Sequence, residues 1–124
     1  MNFNEITALG QIIDSTYGRS SSPDGTWSIK TQLAGDTMTM KYTTVVHFAT
    51  ERGLGDQVQN CVNEATQRIN AYLTEVKSAF KDASGRALKT TDNGGSDDVE
   101  LIQSTARSPR KVAYYRNNRN FTIE

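Results

Sequence analysis

Residues 56–84 read DQVQNCVNEATQRINAYLTEVKSAFKDAS, and this stretch decides the fold. Val58, Val62, Ala65, Ile69, Tyr72, Leu73, Val76 and Phe80 recur three and four residues apart, which lines them along one stripe of an α-helix. The spacing predicts a helix opened by Asp56 and closed by Gly85, roughly 40 Å long at about 1.5 Å per residue. Its polar side carries Glu64 and Arg68 at i,i+4, a mutually supporting pair. A stripe of this width has to lie across another apolar surface.

The segments on either side supply that surface. From Thr26 to Leu33, Trp27, Ile29 and Leu33 alternate with Ser28, Lys30 and Gln32, as in a half-buried strand. Ala34-Gly35-Asp36 makes a tight turn. From Thr37 to Ala49, Met38, Met40, Tyr42, Val46 and Phe48 then face one way, and Thr39, Lys41, Thr43 and His47 the other. The two runs form a long hairpin, and Glu51-Arg52-Gly53-Leu54-Gly55 breaks the pattern before the helix. Beyond Gly85, Arg86 to Thr91 is expected as a short strand and Asp92 to Asp98 as a loop. Val99 to Thr105 and Lys111 to Ile123 read as strands joined by Ala106-Arg107-Ser108-Pro109-Arg110, with a bulge expected in the last strand because Tyr114 and Phe121 fall on opposite parities. At the start, Ile6, Leu9, Ile13 and Tyr17 mark a short helix with Asn4 as cap, Asn2 as the second capping candidate and Gly18 as stop, and Arg19 to Gly25 reads as a linker or an exposed loop. The expected architecture is α+β in the order αββαββ: a short N-terminal helix, then hairpin, long helix and hairpin, with an antiparallel sheet packed on the long helix. Residues 1–124 are expected to form one domain.

Hydrophobic residues make up 35% of the chain and charged residues 23%, which suits a folded globule rather than a disordered segment. Fourteen basic side chains balance fourteen acidic ones, so any charge-based function must be local. Cys61 is the single cysteine and His47 the single histidine, which leaves no internal disulfide and no zinc-type cluster and points to a reducing, cytoplasmic setting. No segment has the length and apolarity to span a bilayer, so no membrane partner is expected. The modest apolar fraction fits a protein completed by its neighbours, with a homo-oligomer expected to use the Thr37–Ala49 arm and the Lys111–Ile123 strand as interface.

Catalytic machinery is largely missing from the sequence. His47 lies mid-strand, Cys61 sits at the apolar edge of the helix, and Gly53-Leu54-Gly55 lacks the lysine and strand context of a phosphate loop. Asp97 and Asp98 are adjacent in an extended segment, where neighbouring side chains point apart, and the acidic loop lacks the spacing of a calcium site. The expectation is therefore no enzyme, no cofactor and no metal. One local feature rises above this background: Arg107, Arg110, Lys111, Tyr114, Tyr115, Arg116, Arg119 and Phe121 bring cations and aromatics together within a short run. Two readings stay open. Arg107, Arg110, Lys111, Tyr115, Arg116 and Arg119 form a nucleic-acid platform of guanidiniums on phosphates and rings on bases, or the tyrosines face the core while the arginines snorkel outward to acidic neighbours.

With its two hairpins, the helix between them and the closing Pro109-Arg110-Lys111-Val112-Ala113-Tyr114-Tyr115-Arg116, the chain resembles small uncharacterised proteins of tailed bacteriophages, T4-like ones included, in length and order of elements. The resemblance implies a non-enzymatic virion or assembly component of tail, neck or baseplate, where small domains with extended hairpins form rings.

Overall fold

The computed structural model describes residues 1–102 and 111–124. Helix α1 spans Phe3–Ile12 and is capped by Asn2, whose Oδ1 accepts the Glu5 N–H at 2.8 Å. Of the two candidates in Asn2-Phe3-Asn4, Asn2 rather than the favoured Asn4 is the cap, because it has the extended backbone that a cap requires. The helix widens into a π-turn at Ile13–Tyr17. Gly18 follows because a Cβ there would stand 2.9 Å from the Ile13 carbonyl oxygen.

Helix α2 spans Glu51–Ser84, 34 residues, and begins five residues before the expected Asp56. Thr50 explains the early start: its side chain accepts the Gly53 N–H at 3.0 Å, and Leu54 and Val58 pack against the core. Cap and packing together offset the roughly 1 kcal/mol that each of Gly53 and Gly55 costs relative to alanine. At about 1.5 Å per residue α2 is roughly 51 Å long. It ends at Gly85, which takes φ +74 and donates its N–H to the Lys81 carbonyl, as the sequence predicts. Ala65, Ile69, Val76 and Phe80 are fully buried along its apolar stripe.

Among the described residues the sheet has five antiparallel strands in the order β1-β2-β3-β5-β4, with β1 at Arg19–Ser21, β2 at Trp27–Ala34, β3 at Thr37–Phe48, β4 at Thr90–Ile102 and β5 at Lys111–Ile123. The β2–β3 hairpin turns on Gly35 and Asp36, and Gly35 at φ +60 supplies the left-handed first turn position. Met38, Met40, Tyr42, Val46 and Phe48 of β3, Ile29 of β2, and Tyr115, Phe121 and Ile123 of β5 are buried on the inner face, and α2 packs there on β3 and β5. Among the described residues the other face carries no helix and consists mainly of Thr, Ser, Asn and Lys side chains.

Four expectations change. Arg19–Ser21, assigned to a linker, adds a strand to the edge of β2, so the order becomes αβββαββ. Asp92–Asp98, expected as a loop between two strands, belongs to the single 13-residue strand β4. Its turn-like composition serves a bulge: Gly94 takes φ +78 and donates its N–H to Asp92 Oδ1 at 2.7 Å, and the register with β5 shifts between Asp92 and Gly95. The bulge thus lies in β4 rather than in the last strand, where Tyr114 faces outward and Tyr115 and Phe121 inward. Finally, β3 and β5, expected as interface arms, pair with each other at the centre of the sheet and have both edges occupied. The end of the expected strand at 103–105 and the turn at 106–110 lie outside the described residues.

Candidate functional site

The C-terminal residues singled out from sequence are divided between two faces. Tyr115 is fully buried on the inner face, its hydroxyl donating to Asp97 Oδ2 at 3.1 Å and accepting from Asn117 Nδ2 at 3.0 Å. Burial and the Asp97 carboxylate push its phenol up to about 12, and its ring offers no surface to a base. Arg119 also lies on the inner side and is held by Asp92 at 2.8 Å. Burial works against the Asp92 carboxylate, but the Gly94 N–H and Arg119 together hold it below the usual range. Arg116 is on the outer face, bonded to Glu100 and at 3.4 Å to Asp98, with its guanidinium 5.7 Å from the centre of the Tyr114 ring. Lys111 is exposed at the start of β5, and Arg107 and Arg110 lie outside the described residues. Tyr115 thus turns its ring inward, and Arg116 and Arg119 are tied, on opposite faces, to the acidic strand beside them.

Two features of the sheet were not drawn from the sequence. The first is a row of cations. Arg19 is opposite Lys30, Lys30 is opposite Lys41, and all three are exposed on adjacent strands, about 5 Å apart from strand to strand. The outer positions of β1, β2 and β3 hold no Asp or Glu, and among the described residues none of the three cations is in an ion pair. Like charges directly opposite one another destabilise a sheet, so an anion laid on this row relieves a standing repulsion.

The second feature is β4 itself, which pairs with β5 on one side and with no strand on the other among the described residues. Asp97, Asp98 and Glu100 gather on it, and Arg116 is the cation that answers Asp98 and Glu100. Val99 is 38% and Leu101 64% exposed although both point to the inner face, because α2 packs over β3 and β5 and leaves this margin open. The sheet thus has a basic margin at β1–β3 and an acidic, partly apolar margin at β4, roughly 19 Å apart across four strand spacings.

Other places hold little chemistry. His47 is exposed on the outer face of β3. Cys61 is buried, and burial together with Glu64 pushes its thiol up, away from the reactive thiolate. Arg68 lies 4.3 Å over the Trp27 ring and bonds Glu64 at 2.7 Å, closing a recess of about 140 Å³ that is small beside ordinary ligand pockets. Among the described residues no group of His, Cys, Asp and Glu has the arrangement of a metal site, and no helix is long and apolar enough to cross a membrane. No protein-family model, curated protein or solved structure matches the chain.

Proposed function

We propose that the chain is a non-catalytic assembly module that works as a homo-oligomer, with the free margin of β4 as its interface. The observation that carries this reading is a 13-residue edge strand that keeps two apolar side chains uncovered near its end, Val99 and Leu101. Soluble monomers keep edge strands short, charged throughout or covered, since unpaired N–H and C=O groups recruit other strands. The bulge and the carboxylates blunt β4 up to Glu100 but leave its end open. The resemblance to tailed-phage proteins supplies the setting: a virion component of tail, neck or baseplate, in which ring contacts between copies are the protein's work.

The test is light scattering coupled to size-exclusion chromatography over a range of protein concentrations. A multimer is expected, and a Val99→Lys/Leu101→Lys variant with an unchanged circular-dichroism spectrum is expected to run as a monomer. A parent chain that stays monomeric at every concentration overturns the reading. The same run with a short single-stranded oligonucleotide addresses nucleic-acid binding, the second reading favoured by the cation row: a salt-sensitive complex formed by monomers would transfer the function to that class.

A further inference from the structure

Resting on this assembly reading, we infer that copies join head to tail, the acidic β4 margin of one seated on the basic β1 margin of the next, so that the product is a ring or filament and not a two-fold dimer. The partner is a second copy of the chain, and charge selects which of its edges is used. Among the described residues the strand order leaves two edges unpaired, β1 and β4, at opposite ends of the sheet. At the β1 end Arg19 stands first in the row Arg19–Lys30–Lys41, with no acidic outer-face residue among its neighbours on β1 to β3. The nearby Asp24 carboxylate is occupied locally, accepting the Thr26 hydroxyl at 2.9 Å. At the β4 end the outer-face carboxylates Asp98 and Glu100 share Arg116 between them, and Asp97 on the inner face accepts the Tyr115 hydroxyl.

Three pairings of edges are available. A two-fold β4–β4 contact sets two acidic strands side by side, and in an antiparallel ladder carboxylates would stand opposite or diagonal to carboxylates, which is destabilising. A two-fold β1–β1 contact brings two rows of cations together. Only β4 against β1 pairs opposite signs. Asp98 and Glu100 project from the outer face of β4, the face from which Arg19 and Lys30 project on β1 and β2, so a continued sheet puts them on the same side. Their side chains are 59% and 56% exposed, which leaves both carboxylates able to take a second cation besides Arg116. The head-to-tail contact also consumes both free edges of every copy, whereas either two-fold contact leaves one edge of each copy bare.

The experiment is a charge-reversal exchange. One variant carries Arg19→Glu, Lys30→Glu and Lys41→Glu, and a second carries Asp98→Lys and Glu100→Lys. Circular dichroism verifies the fold of each, with Asp98→Asn/Glu100→Gln replacing the second if the lysines unfold β4. The parent chain is expected to form species larger than a dimer that dissociate as salt is raised. Each variant alone is expected to assemble roughly a hundredfold more weakly, and the two lysine and glutamate variants mixed in equal amounts are expected to regain the parent's size, because each then presents the complement of the other. With the neutral replacement, weakened assembly of that variant alone takes the place of the regain. If the Arg19/Lys30/Lys41 variant assembles as well as the parent, or the parent stops at a dimer, the head-to-tail inference is overturned while the assembly reading stands. If the parent is monomeric at all concentrations, that reading itself fails. If monomeric parent binds an oligonucleotide and the first variant does not, the cation row serves nucleic acid and the inference falls.

Discussion

Replacing Gly95 by alanine should be among the most damaging single changes in the sheet. A Cβ at this position would stand 1.8 Å from the Asn118 carbonyl oxygen, 2.8 Å from the carbonyl carbon and 3.0 Å from the Arg119 Cα. All three atoms belong to the backbone of β5, an inner strand held on its other side by β3, so no side chain can swing away to make room. Since nonbonded carbon and oxygen atoms settle at about 3.3 Å or more, β4 would have to retreat by roughly 1.5 Å beside the bulge. That retreat strains or breaks the ladder around Gly95–Arg119 and Ser96–Asn118, at about 1 kcal/mol per hydrogen bond, and overpacking adds about 1–3 kcal/mol. The expected loss is about 3 kcal/mol. Urea unfolding at fixed protein concentration reads it: with a slope near 1.5 kcal/mol per molar, the midpoint should fall by about 2 M. Gly10→Ala is the control, since its Cβ meets nothing within 4 Å and its helix gains up to about 1 kcal/mol. A Gly95→Ala midpoint within about 0.3 M of the parent, equivalent to about 0.5 kcal/mol, would refute the close approach of the two strands at the bulge.

Thr50→Ala removes the acceptor for the Gly53 N–H and should lower stability by about 1 kcal/mol, with faster amide exchange at Gly53, while Thr50→Ser keeps most of the stability. Phe80→Ala empties a fully buried site on α2, and thermal or urea unfolding should register a loss of about 3–5 kcal/mol. Stability should also fall under alkali. Tyr115 has its folded pKa raised to about 12 from an ordinary 10, so its contribution is complete below about pH 10 and is lost as pH climbs from there toward 12. Tyr42 and Tyr72, also raised by burial, act in the same direction. Urea titrations from neutral pH to about pH 11 should therefore show a decline that Tyr115→Phe makes shallower; an unchanged slope in that variant would mean another group governs it.

Helix α2 and the β2–β3 hairpin are legible in the sequence because each announces itself within a short window, through a stripe at helical spacing and an alternation around Gly35. The inward set from Met38 to Phe48 follows from the same alternation. What escapes is whatever depends on a distant partner. Nothing within residues 37–48 points to residues 111–122, so the central pairing of β3 with β5 is invisible locally, and with it the fact that these strands have no free edge. Asp92–Asp98 has the composition of a turn, and only the ladder with β5 makes it a strand. The start of α2 is misjudged because two glycines suggest a break while the capping threonine stands just ahead of them. Two of the three cations in the row are derivable: a two-residue turn at Gly35–Asp36 puts Lys30 opposite Lys41, whereas Arg19 sits in a segment whose Ser, Pro and Gly content reads as coil. The C-terminal basic run draws attention by its density, yet neighbouring carboxylates on β4 answer Arg116 and Arg119, a relation that spacing along the chain does not reveal.

The central ladder also dictates an order of events during folding. Its partners are far apart along the chain, from Phe48 with Lys111 to Thr37 with Thr122, so joining them closes loops of about 60 to 85 residues before any of their bonds form. The β2–β3 hairpin needs only its two-residue turn and can form while β5 is still remote. Until β5 arrives, β3 shows a bare margin lined by Met38, Met40 and Tyr42, the kind of transient edge that captures strands from other chains. Chaperone demand and losses to inclusion bodies should therefore track the rate at which β5 docks, and changes that slow its docking should lower the yield of soluble protein even where the finished fold is no less stable.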